Sequence, residues 1–203
     1  MVEKIIINPN KVRGYGNIMN QHSTTDYTNY ACTLTEETDT INGAETTVYT
    51  MTDTIQFFDT CTDGTSKWSG ADSRVTATSD STGITLTWVS GTYTFWANAD
   101  GSTEFDYTGD FTVEFDILSN GNNATIQIYD NSASTYYSKT LNQLNSMNAG
   151  HYKIVKTGQT FKTYVDGVEK TTQQVNSNIT GACRVGFRQG SASTIQFRNF
   201  VIY

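Results

Sequence analysis

Glu114 and Asp116 stand two residues apart in the run DFTVEFDIL, residues 110–118. Successive side chains of an extended strand point to opposite faces, so Phe111, Val113, Phe115 and Ile117 share one face and Thr112, Glu114 and Asp116 the other. Two carboxyl groups side by side can divide glycoside cleavage between a nucleophile and an acid/base, at a separation of ~5 Å for the retaining route. Ile117-Leu118-Ser119-Asn120 follows and brings no further acid to that face. The pair therefore reads first as ordinary carboxylates on a solvent-facing strand.

Binding is the other chemistry on offer. Planar aromatics stack on the CH faces of pyranose rings, while amides and carboxylates fix the hydroxyls. Trp68, Trp96, Tyr129, Tyr136, Tyr137 and Tyr164 are the candidates. Within residues 92–97, Tyr93 and Phe95 alternate, so an inward Phe95 sends Trp96 outward. An outward Trp serves a ligand, the second sheet or a subunit contact. Arg184 and Arg188 alternate with inward Val185 and Phe187 and share a face. They suit acidic sugars or pairing with Glu114 and Asp116, and internal pairing across the sheet is the expected arrangement.

Other reaction centres find little support. His22 and His151 are the only histidines, and neither sits in a nucleophile-elbow context. Gly14-Tyr15-Gly16 is followed by no Lys-Ser/Thr pair, which excludes a phosphate loop. Cys32, Cys61 and Cys183 are odd in number and widely spaced. Cys32 with Cys61 is the most plausible pair, but reduced, partly buried thiols are the expectation, and no zinc spacing exists. The 13 Lys and Arg against 20 Asp and Glu give a formal charge of -7. No basic footprint exists for nucleic acid. No apolar run approaches the ~20 residues of a membrane span, and no leader opens the chain, so neither membrane insertion nor a signal peptide is expected.

The elements that must position these residues are strands. No window sustains a 3.6-residue apolar period, whereas period-2 runs recur between Gly, Asn and Asp turns, which makes the chain all-β with two packed antiparallel sheets. In residues 150–172, runs at 152–156 and 161–165 are split by Thr157-Gly158-Gln159-Thr160. Asp166-Gly167 then closes the second run before Val168-Glu169-Lys170. Asp-Gly between alternating runs calls for a type I′ turn, so this is a three-strand meander. Further strands are expected at 74–78, 83–89, 92–97, 110–118, 125–129 and 136–141, with a helical turn at 144–147. The last strand, through Phe197, Phe200, Val201 and Ile202, reads as buried on both faces, under cover from an N-terminal arm. Residues 1–53 form that arm, with a turn at Asn8-Pro9-Asn10, strands at 30–34 and 46–51, and apolar residues 5–7 that would support a homo-oligomer. The sandwich occupies residues 54–203.

The meander's (Y)-h-x-h, x-h-x-h-Y-V-D-G pattern, with the ending Arg184-Val185-Gly186-Phe187-Arg188, a Gly-Ser loop and residues 195–203, resembles the laminin-G-like, concanavalin A-like lectin/glucanase jelly rolls. Residues 54–59 with Asp63-Gly64 and Trp68 resemble the opening of such modules. The resemblance covers roughly residues 55–203. It implies a concanavalin A-like β-sandwich. Hydrolases of this fold carry E-h-D-h-(x)-E on one strand; here the second Glu is absent, which implies a non-catalytic member. Such modules often hold structural calcium between loop carboxylates, for which Asp59, Asp63, Asp100, Glu104, Asp106 and Asp110 are the oxygen-rich candidates. Residues 59–70 differ from an EF-hand loop at Cys61 and Gly70, so turn-forming Asp is the expectation and no other cofactor is implied. The expected function is binding of a carbohydrate or other cell-surface polymer, on a virion or cell surface, with Trp96, Glu114, Asp116, Tyr129, Tyr164, Arg184 and Arg188 as ligand residues. A structural subunit making only protein contacts is the rival.

Overall fold

The computed structural model describes residues 2–5, 32–41, 44–53, 56–98, 105–106, 109–119, 124–130, 135–146, 149–174, 182–190 and 194–203. It divides into two compact units, Met1–Ile55 with Tyr203, and Gln56–Ile202. In the first, strands β1 (Val2–Ile5), β2 (Cys32–Ile41) and β3 (Ala44–Asp53) form an antiparallel sheet in the order β1-β3-β2. Strand β2 runs well past the expected end at residue 34, pairing from Cys32 opposite Asp53 to Ile41 opposite Ala44. Its Thr-rich sequence favours extended backbone through β-branching without an apolar face to announce it. The turn at Asn8-Pro9-Asn10, residues 6–7, Gly14-Tyr15-Gly16 and His22 fall outside the described residues.

The second unit is a two-sheet sandwich. Its larger sheet contains β4 (Phe57–Asp59), β6 (Val75–Asp80), β7 (Gly83–Trp88), β10 (Phe111–Ser119), β13 (Gly150–Thr157), β14 (Thr160–Val165), β15 (Val168–Gln174) and β17 (Thr194–Ile202). The order is β15-β14-β13-β10-β17-β7-β6, with β4 taking over from β7 along the second half of β17. The smaller sheet contains β5 (Trp68–Ser69), β8 (Tyr93–Ala97), β9 (Phe105–Asp106), β11 (Thr125–Asp130), β12 (Thr135–Thr140) and β16 (Ala182–Gln189), in the order β12-β11-β16-β8-β5 with β9 also on β16. A single short helix, α1 (Leu141–Asn145), is described. It follows β12 directly and so begins three residues before the expected turn, because Leu141 and Leu144 both reach the core.

The meander forms as its turn chemistry requires, with Asp166 at φ 50° and Gly167 at φ 77°, the paired positive values of a type I′ turn. Phe111, Val113, Phe115 and Ile117 are all buried, and Phe197, Phe200, Val201 and Ile202 likewise. Between the sheets an aromatic cluster fills the core. Trp68 stacks on Phe95 with ring centroids 5.2 Å apart and meets Phe197 and Phe200 edge-on, each at 5.0 Å. Truncating such a buried Trp to Ala costs about 3–5 kcal/mol. Trp68 and Tyr137 are therefore core residues rather than sugar platforms: Trp68 is 6% exposed and Tyr137 fully buried, its hydroxyl bonded to Thr163. Cys61 is a buried thiol outside any disulfide, so it does not pair with Cys32, and Cys183 is buried as well.

Candidate functional site

The ligand residues read from the sequence lie on two different outer faces. Glu114 and Asp116 project from β10 and Tyr164 from β14, all in the larger sheet; Trp96, Tyr129, Arg184 and Arg188 belong to β8, β11 and β16 of the smaller one. Side chains outside two face-to-face sheets point apart, so these seven residues form two groups and not one. The expected pairing of Arg184 and Arg188 with the two carboxylates does not occur, because β10 and β16 never share a sheet.

On the larger sheet the carboxylates are held by their own neighbours. Register places Lys153 opposite Glu114 and His151 opposite Asp116. The Lys153 ammonium donates to Glu114 Oε1 at 2.7 Å, while His151 bridges Glu114 Oε2 at 3.0 Å and Asp116 Oδ1 at 2.8 Å. Asn199 donates from Nδ2 to Asp116 Oδ2 at 2.7 Å. A bulge makes this contact possible. Between the pairs Glu114–Val201 and Asp116–Arg198, β17 holds one residue more than β10, and Asn199 takes φ 52° there. Glu114 is only 5% exposed, so it is no solvent-facing carboxylate. Hydrogen bonds from Asp116 and then Glu114 raise His151 from 6.5 to about 9. Burial works to raise Asp116, but bonds from His151 and Asn199 outweigh it and hold the carboxyl below its usual range. In this network Lys153, His151 and Asn199 between them contact all four oxygens of Glu114 and Asp116.

The smaller sheet's outer face is built differently. Trp96 is half-buried and faces outward between inward Phe95 and Ala97. Strand β8 lies between β16 and β5, so the indole has a neighbour on each side. From β16 the Arg184 guanidinium sits over the ring, 6.0 Å from its centroid. Gly186, opposite Trp96 in register, lets the two strands approach closely; a Cβ there would lie 2.2 Å from the Phe95 carbonyl oxygen. Toward the β5 side, Gly70, Ala71, Asp72, Arg74, Thr92, Tyr93, Thr94 and Trp96 line a groove of about 380 Å³.

Local geometry fixes the groove's polar wall. Asp72 accepts the Arg74 backbone N–H at 2.7 Å and holds its guanidinium at 2.5 Å, while Arg74 Nη1 donates to the Thr92 carbonyl at 3.2 Å. Tyr93 carries that guanidinium over its ring, 5.4 Å away. The Tyr93 hydroxyl lies against Gly70, buried and without a hydrogen-bond partner among the described residues. Burial pushes it up to about 12, so it stays a protonated donor. Of the residues forming this wall, sequence reading singled out only Trp96; the Asp-x-Arg step at 72–74 is the local sign it offered. Tyr129 is half-buried opposite Arg184, so it extends the same face.

Two of the calcium candidates, Asp59 and Asp110, are engaged in turn contacts. Asp59 accepts from Trp68 Nε1 at 2.6 Å and from the Cys61 N–H at 2.9 Å, and Asp110 accepts from the Gly158 N–H at 2.8 Å. Both tie turns together. Among the described residues no group of three His, Cys, Asp or Glu side chains is placed to hold a metal ion. Asp100, Glu104 and the side chain of Asp106 lie outside the described residues.

No family model and no curated protein matches the chain in sequence. Solved structures do match in shape. A sialidase superposes with a TM-score of 0.54 at 12% identity, covering 84% of this chain but 21% of the sialidase, so the chain spans about a fifth of that protein. A protein of unknown function with a galectin-like fold from Bacillus subtilis superposes with a TM-score of 0.52 at 10% identity, covering 73% of this chain and 95% of that one. A carbohydrate binding module from Bacillus subtilis is similar at a TM-score of 0.48 and 17% identity, covering 68% and 96%. The fold is the concanavalin A-like jelly roll.

Proposed function

We propose that this protein is a non-catalytic module that binds carbohydrate, or a similar cell-surface polymer, through the outer face of its smaller sheet. One observation carries this reading: the half-buried Trp96 walls a groove of about 380 Å³ whose other lining residues include Thr92, Thr94, Asp72 and Arg74. A half-buried indole with hydroxyls and a charged pair beside it offers the donor and stacking set a pyranose needs, and the volume suits a small saccharide. The Tyr93 hydroxyl beneath the groove is a buried polar atom without a hydrogen-bond partner among the described residues. A non-catalytic role is supported by the larger sheet, where Lys153, His151 and Asn199 occupy the oxygens of Glu114 and Asp116. Display on a virion or cell surface is the setting this reading expects.

A glycan-array screen of the folded protein, with and without calcium and alongside Trp96→Ala, tests it. Selective binding without calcium dependence, lost by roughly 10-fold to 100-fold in Trp96→Ala, is expected. No binding under any condition by a well-folded protein would overturn it and favour a structural subunit that meets only protein partners.

A further inference from the structure

The charge on the binding face opposes that of the whole chain. The formal net charge is -7, yet the outward side chains described on β8, β11 and β16 include Arg184 and Arg188 and no carboxylate. The cations around the groove also differ in what they already hold. Arg74 is committed to Asp72 and the Thr92 carbonyl, and Arg184 lies over the Trp96 ring. Arg188 is exposed and has no hydrogen bond or ion pair among the described residues. It stands opposite Thr94, a groove residue, in register, and Trp96 follows Thr94 by about 7 Å along β8. A sugar stacked on Trp96 therefore brings its own substituents, or those of the next unit, to a planar guanidinium with free donors.

Resting on the carbohydrate reading above, we infer that the ligand is an anionic saccharide whose carboxylate or sulfate group is taken by Arg188. The guanidinium fork matches the paired oxygens of either group, and a charge-assisted pair is roughly twice as strong as a neutral hydrogen bond. The chain's distant carboxylates do not prevent this, because at about 0.15 M salt charges more than roughly 8 Å apart are largely screened while a contact pair is not. Carboxylated and sulfated sugars present the same chemistry, and the experiment separates them.

Affinities for polygalacturonate, dextran sulfate and the neutral glucan laminarin, measured at about 0.15 M salt, test the inference with wild type, Arg188→Gln, Arg188→Lys and Trp96→Ala. At least one acidic polymer should bind more tightly than laminarin. Arg188→Gln should weaken that binding by about 10-fold or more, and Arg188→Lys should recover part of it. The polymer that shows the loss identifies carboxylate or sulfate as the group recognised. Equal binding of laminarin and both acidic polymers, or acidic binding unchanged in Arg188→Gln, would overturn the inference while a Trp96→Ala defect upheld the carbohydrate reading. Binding of none of the polymers, or binding indifferent to Trp96→Ala, would overturn both.

Discussion

The two outer faces of the sandwich both carry charged side chains and put them to opposite use. On the larger sheet Glu114, Asp116, His151, Lys153 and Asn199 bind one another across three strands, so the charges complete the fold. On the smaller sheet Trp96 lines an open groove, Arg184 lies over its ring, and Arg188, opposite the groove residue Thr94, has no partner among the described residues. The difference shows that charged or aromatic character alone does not mark a site. A surface can bind only with groups that folding has not already consumed.

Three changes would break or sharpen this contrast. The largest effect is expected at Gly186, whose missing side chain lets β8 close against β16. In Gly186→Ala the new methyl would meet the Phe95 carbonyl at 2.2 Å, so the smaller sheet must part. A stability loss of about 1–3 kcal/mol by urea denaturation is predicted, with weaker polysaccharide binding because Trp96 moves with β8.

Glu114→Gln should act on the other face and in the other way. Lys153 and His151 lose their shared acceptor, but both are more than a third exposed, so solvent screening limits the loss to roughly 1–2 kcal/mol. Polysaccharide affinity should not change. A binding loss in this variant would erase the distinction between the faces.

A smaller effect should follow pH. His151 titrates near 9 in the folded protein against 6.5 as its ordinary value, so between those values the folded state holds the extra proton. The stabilisation is full below about 6.5 and is lost as pH rises through about 9. The thermal midpoint should therefore fall across this window, and His151→Gln should flatten that slope while lowering the midpoint at neutral pH.

What could be read from sequence follows the range of the interactions involved. The Asp166-Gly167 turn and the DFTVEFDIL strand are local patterns, and the structure reproduces both. The outward direction of Trp96 also follows from its immediate neighbours. Trp68 is the same residue type, but it sits in a strand of two residues, too short for alternation to show its direction. Sheet membership was beyond reach as well. Nothing within β10 or β16 tells that they lie in different sheets, and this is why pairing of Arg184 with Glu114 looked reasonable. His151 met Asp116 only through long-range register, and Asn199 only through a bulge. Lys156 is a further case: alternation puts it on the inward face with Tyr152 and Ile154 although it is charged, and it is 3% exposed, its ammonium donating to the Gly109 carbonyl at 2.9 Å.

The most direct test of the account is to titrate an oligosaccharide from the polymer that binds best into isotope-labelled protein and map the amide shifts. Changes confined to Thr94, Trp96, Gly186, Arg188 and the loop at 70–74 are predicted. Changes centred on Glu114, Asp116 and His151, with the smaller sheet silent, would contradict it.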